Sequence, residues 1–152
     1  MVKYKGSTKE ALSLRTFIKL MRSANTVTAE VNNSLARSKL TMSQFGVLES
    51  LYHLGPMYQR DLAEKILKTT GNITTVIDNL EKRKLVERQR EMKDRRYFKV
   101  VLTPAGKRLI KKIFPEQAAQ IVKSIGRLNM TEQKELGRLC KKLGTGKKSK
   151  PE

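Results

Sequence analysis

Cysteine and histidine each occur once, as Cys140 and His53, and tryptophan does not occur. A single cysteine excludes a disulfide within the chain and any metal cluster held by several thiolates, and a single histidine leaves no histidine-based metal site. Neither a metal nor a cofactor is expected. Four Phe and four Tyr are the whole aromatic complement, too few for the stacking platforms with which proteins hold single-stranded nucleic acid. No run of about 18 apolar residues is present, so no membrane-spanning helix is expected, and the opening MVKYKGSTKE has no apolar stretch of the kind a secretion signal needs. The expected location is the cytoplasm. No Gly-rich phosphate loop, nucleophile motif or pair of carboxylates in a Gly-flanked turn is found, so an enzyme is not expected.

Acidic residues are also scarce, with 14 Asp and Glu against 33 Lys and Arg and a formal charge of +19. A chain this basic attracts phosphate polyanions at long range. Part of the excess sits in the final KKLGTGKKSKPE, where residues 143–152 read as a flexible basic tail. The concentration of charge in VERQREMKDRRYFKV, at Arg88, Arg90, Lys93, Arg95, Arg96 and Lys99, is therefore the more informative feature. The few aromatics favour duplex DNA as the partner. A membrane-surface protein would carry its basic residues along one amphipathic helix.

Apolar periodicity predicts helices. Phe17, Leu20, Met21, Ala24, Val27, Val31 and Leu35 recur at spacings of three and four, giving a long amphipathic helix from near Thr8. A second helix is predicted from about Ser43, with Phe45, Leu48, Leu51 and Tyr52 on one side, and Gly55-Pro56 stops it. A short third helix carries Leu62, Ala63 and Ile66. A fourth places Ile73, Val76, Ile77 and Leu80 at i, i+3, i+4 and i+7, with Thr69 or Thr70 as its cap. Its opposite face holds Gly71, Thr75, Asp78, Asn79 and Lys82, flanked by Asn72 and Thr74. An isolated face of this kind is most simply a solvated surface. Its place after two short helices and before a basic hairpin instead fits a helix-turn-helix with a wing.

In that hairpin VERQR and YFKVVL are the strands, with Phe98, Val100 and Leu102 on the face that covers the helices. The tip is EMKDRR, where Asp94 is placed to pair with Arg96 and orient its guanidinium. A fixed Arg at a hairpin tip suits the enhanced negative potential of a narrow minor groove. After Thr103 as cap and Pro104 as first residue, Leu109, Ile110, Ile113, Phe114, Ala118, Ile121, Val122 and Ile125 form one apolar face, with a kink expected at Pro115. Leu136, Leu139, Cys140 and Leu143 form another after Thr131. A winged unit of about 70 residues cannot cover these stripes, so they are expected to pack against a second copy. Ile121, Ile125, Leu136, Leu139 and Leu143 are the expected interface residues. The fold expected is mostly α with a small β-hairpin wing: a winged helix-turn-helix at about 41–103, dimerisation helices at about 8–36 and 104–142, all in one domain of residues 1–142.

LTMSQFGVLESLYHLGP, GNITTVIDNLEKRKLVER and DRRYFKVVLTPAGKRLI, in this order and spacing, resemble the MarR family of bacterial transcription regulators. GNIT and IFPEQ further resemble the subgroup that represses resistance genes for catechols and methylhydroquinone. The resemblance implies a cytoplasmic, nucleoid-associated homodimer on a pseudo-palindromic operator. It implies that the helix from Thr70 reads the major groove, through Thr70, Asn72, Thr74, Thr75, Asn79 and Lys82. Arg95 and Arg96 would act at the wing, Arg96 in the minor groove with Asp94 as its support. It also implies release by a small phenolic ligand, in a pocket assigned to Phe17, Met21, Tyr52, His53 and Phe114. Thr75 departs from the Arg that many relatives carry, and Lys84 from the usual Gly before Leu-Val, which implies an altered turn. Three alternatives stand beside this reading. The chain could be a nonspecific architectural DNA-binding protein, Cys140 could serve a redox-sensing repressor instead of packing as a small hydrophobe, and His53 could be satisfied by backbone at a helix end.

Overall fold

The computed structural model describes residues 6–66, 70–91 and 97–145. They form two compact units, one of Val31–Ala118 and one of the residues up to Glu30 together with those from Ala119 onward. Helix α1, Thr8–Leu35, contributes to both. A 3-10 turn at Ala36–Ser38 follows, then α2 Met42–Leu54, β1 Met57–Tyr58, α3 Gln59–Lys65, α4 Thr70–Lys82, β2 Val86–Arg90, β3 Phe98–Leu102, α5 Pro104–Ile125 and α6 Met130–Thr145. The unit of Val31–Ala118, called the winged unit below, contains the expected winged helix-turn-helix of about 41–103.

Local sequence accounts for where the helices begin. Thr41 Oγ1 accepts the Gln44 N–H at 3.2 Å and the Gln44 side chain accepts the Thr41 N–H at 3.1 Å, a reciprocal cap that satisfies two otherwise orphaned donors. Ser7 with Glu10 starts α1 in the same way, and Asn129 with Glu132 starts α6. The start of α6 was expected after Thr131; Asn129 moves it earlier because its side chain takes the Glu132 amide. The same helix continues to Thr145, so Leu143 to Thr145 are helical where the flexible tail was expected to begin. Thr103 Oγ1 accepts the Gly106 N–H at 3.0 Å, and α5 starts at Pro104 as expected. Pro115 lies inside α5 and does not end it.

The core of the winged unit lies between α2, α3, α4 and the sheet. Leu48, Leu62, Ile73, Ile77 and Leu80 are fully enclosed, with Val86, Val100 and Ile110 beside them. Each such Leu or Ile contributes roughly 1.5–3 kcal/mol relative to exposure. The sheet has the order β1-β3-β2, antiparallel throughout, with Val86 opposite Leu102 and Arg90 opposite Phe98. The two-residue strand β1 was not anticipated; it is too short to carry a period, and its residues Met57 and Tyr58 pair with Val100 and Lys99. Phe98 is also a correction, since it is exposed at the tip end of β3 with the Arg90 guanidinium 5.5 Å from its ring centre. The strand outruns the helices it covers.

Lys84 closes α4 in the left-handed region, at φ 57°. Its N–H bonds to the Glu81 carbonyl at 2.8 Å and the Leu85 N–H to the Leu80 carbonyl at 3.0 Å, the pair of bonds that usually has Gly at this position. The turn expected to be altered therefore keeps the glycine conformation with a lysine in it. In the terminal-helix unit, Glu30 accepts hydrogen bonds from Ser124 and Arg127, each at 2.6 Å. Leu12, Phe17, Val122 and Leu143 are largely exposed there. No helix among the described residues is long and apolar enough to cross a membrane.

Candidate nucleic-acid interface

The interface is built on α4. Ile73, Ile77 and Leu80 point into the core, leaving Asn72, Thr75, Asn79 and Lys82 exposed along the other side. These four recur at i, i+3, i+7 and i+10, one stripe of a 3.6-residue helix, and they are short or flexible polar side chains of the kind that reach base edges. Thr70 is the first residue of the helix. Thr74 is not on the stripe. It is half-buried on a flank, where its hydroxyl accepts the Gln59 amide N–H at 2.6 Å.

That flank carries a group of residues not anticipated from sequence. Asp78 and Glu81 share it with Thr74 and meet Arg88 of β2. Arg88 donates through one guanidinium nitrogen to Asp78 Oδ1 at 2.6 Å and through the other to Glu81 Oε2. The Arg88 backbone N–H donates to Glu81 Oε1 at 3.0 Å. Gln59, at the start of α3, lies 3.5 Å from the same guanidinium. Asp78 read as part of the exposed polar face; with Arg88 at hand it is turned toward the sheet. Only a pairing of α4 with β2, which no local pattern encodes, could have indicated this.

The wing root is also held by charge. The Tyr58 hydroxyl and the Lys99 ammonium both donate to Glu91 Oε2, each at 2.8 Å. The bond to the Glu91 carboxylate raises the Tyr58 pKa, and the same carboxylate raises that of Lys99. The Glu91 N–H reaches the Tyr97 carbonyl at 2.9 Å, continuing the hairpin one step beyond the strands. Asp94, Arg95 and Arg96, on which the minor-groove expectation falls, lie outside the described residues.

Of the residues assigned to an effector, the winged unit brings three together. The His53 ring stands edge-on to Tyr52 and to Phe114, with ring centres 5.1 and 4.8 Å apart. His53 is exposed and its ring makes no hydrogen bond among the described residues, so the backbone-satisfied reading of the side chain is not what is seen. Phe17 and Met21 belong to the other unit and are exposed. So are Ile121, Leu136, Leu139 and Leu143, while Ile125 is half-buried. Cys140 is exposed as well, on the same side of α6 as Leu136, Leu139 and Leu143 that was expected to meet a second copy.

Residues 40–98 match the MarR family. The HTH-type transcriptional regulator MhqR of Bacillus subtilis is 34% identical over 136 residues, spanning 90% of this chain and 94% of the relative. Among solved structures, BpsR of Bordetella bronchiseptica, whose DNA binding is regulated by 6-hydroxynicotinic acid, superposes with a TM-score of 0.76 at 30% identity. The match covers 86% of this chain and 98% of BpsR. The MarR family protein Rv2887 of Mycobacterium tuberculosis, in complex with salicylic acid, superposes with a TM-score of 0.63 at 28% identity, over 82% of this chain and 93% of its own.

Proposed function

Because the chain belongs to the MarR family of winged-helix, DNA-binding transcription regulators, we propose that it is a repressor that binds a pseudo-palindromic operator as a homodimer and is released by a small hydroxylated aromatic compound. The observation that carries this reading is the exposed stripe Asn72, Thr75, Asn79 and Lys82 on α4, next to a hairpin whose root is fixed by Tyr58, Glu91 and Lys99. The helix would enter the major groove, and Arg95 and Arg96 at the wing would reach the backbone and minor groove.

Support for two copies comes from the apolar residues left exposed on the terminal helices, Ile121, Leu136, Leu139 and Leu143 among them. Two copies would set two recognition helices about one helical turn of DNA apart. For the effector, Tyr52, His53 and Phe114 supply adjoining ring edges and a hydrogen-bonding imidazole. The DNA binding of BpsR is regulated by 6-hydroxynicotinic acid and Rv2887 binds salicylic acid, which supports a hydroxylated aromatic ligand here.

The test compares binding to a palindromic fragment of the promoter it controls with binding to a scrambled duplex at physiological salt. A preference of at least about a thousandfold is expected for a specific regulator. Arg96→Ala should weaken operator binding by about 1–3 kcal/mol and Asp94→Ala by less. Equal binding to both duplexes would make the protein an architectural one. Unchanged operator affinity in Arg96→Ala would remove the wing from the interface.

A further inference from the structure

Apolar packing is non-directional, so the buried residues Ile73, Ile77 and Leu80 hold α4 in the unit but do not by themselves fix its rotation about its own axis. That rotation matters for reading bases. At a radius of about 5 Å, a roll of about 20° moves a side-chain tip by nearly 2 Å, enough to break a hydrogen bond. One flank of this helix carries a connected set of directional contacts to the sheet and to α3. A single guanidinium, that of Arg88, binds Asp78 and Glu81, which stand one turn apart, and the Arg88 backbone N–H binds Glu81 again. Gln59 extends the set from the same guanidinium to the Thr74 hydroxyl. Arg88 is only 23% exposed, and both carboxylates it binds are more open than it is.

We propose that Arg88 is a positioning residue for sequence recognition, acting through Asp78 and Glu81 to hold α4 at the rotation in which Asn72, Thr75 and Asn79 meet base edges. This rests on the reading that α4 enters the major groove. Arg88 also draws two carboxylates to the sheet side, so they do not confront phosphates. Contacts to phosphates position a protein without carrying sequence information, whereas contacts to base edges demand correct register. Loss of the clamp therefore degrades discrimination between sequences more than binding to DNA in general.

The experiment uses the full chain and two duplexes: one enriched by the wild-type protein from a random-sequence library, and a scrambled version of it. The readout is the ratio of the two affinities at fixed salt. Arg88→Gln should lower the ratio by about tenfold or more. The Asp78→Asn/Glu81→Gln double variant should lower it as much, although it makes the protein more positive. Combining all three substitutions should add no more than about twofold, since they remove one shared interaction. Arg88→Lys, which keeps the charge but not the fork, should recover only part. The salt dependence of Arg88→Gln should match that of the wild type.

A salt slope reduced by about one would mean that Arg88 contacts a phosphate itself, which overturns the proposal. So would a ratio unchanged in the double variant, or effects that multiply in the triple variant. If Arg88→Gln does not fold, as judged by thermal melting, the Asp78→Asn/Glu81→Gln protein decides alone. A wild-type protein that enriches no duplex at all would refute the groove-reading role of α4 and this proposal with it. Retained enrichment with unaffected variants would refute only the role of Arg88.

Discussion

The carbonyl oxygen of Leu85 occupies the space where a side chain on Gly106 would begin: a Cβ there would lie 1.9 Å from it. That oxygen accepts the Thr103 N–H at 3.1 Å, and the Thr103 hydroxyl donates to the Lys84 carbonyl at 2.7 Å. The end of α4 is thus docked directly on the start of α5. Gly106→Ala must push backbone from backbone, and a loss of about 2–3 kcal/mol is expected. Urea unfolding would register it as a lower midpoint at unchanged slope. Wild-type stability would mean that the junction yields without cost.

Lys84 offers the opposite case. At φ 57° a side chain costs about 1–2 kcal/mol, partly offset by the backbone entropy that glycine loses on folding. Lys84→Gly should therefore stabilise the protein by roughly 0.5–1 kcal/mol. A thermal midpoint that stays level or falls would show that the lysine side chain contributes something the turn geometry does not reveal.

The Glu30 carboxyl is held below the usual carboxylate range, first by the hydrogen bond from Arg127 and then by that from Ser124. Because the folded value is the lower one, the ionised form adds stability that is complete above the ordinary carboxylate pKa of about 4 and is lost as pH falls through the depressed value. Melting curves of wild type and Glu30→Gln should differ at neutral pH and converge on acidification. A gap that stays constant into acid would contradict the assignment.

Cys140 is exposed and is the only thiol in the chain. On the proposed non-covalent release mechanism, a reduced hydroquinone or catechol should still dissociate operator DNA from Cys140→Ser when oxygen is excluded. Loss of that response, with DNA affinity intact, would identify a covalent thiol sensor.

Helices and strands with a clear period were legible from sequence. Val86–Arg90 stands where VERQR was read as a strand, and α1 and α5 begin where Thr8 and Thr103-Pro104 indicated. Elements defined by a distant partner were not legible. The two residues of β1 are a strand only because β3 lies beside them. The same holds at the interface. Hydrophobic periodicity located the exposed stripe of α4 with Thr74 on its flank, but the removal of Asp78 from it depends on Arg88, and the Thr74 bond on Gln59, whose approach is a property of the assembled unit. Whether the face that holds Leu136, Leu139 and Cys140 is covered was likewise not legible, because that depends on a second copy and not on the chain's own pattern.

Strand β2 has β3 on one side and, among the described residues, no strand on the other. Apart from the Arg88 N–H, which Glu81 takes, this edge is a template for another chain's strand, and aggregation by sheet extension usually starts at such edges. Here the edge reads Val86, Glu87, Arg88, Gln89, Arg90, with only Val86 buried. A neighbouring copy approaching it would strip water from the Glu87 carboxylate and the Arg90 guanidinium. Charged side chains of both signs on an edge strand disfavour such pairing, and replacing Glu87 and Arg90 with β-branched apolar residues is expected to promote it while leaving the fold's interior untouched.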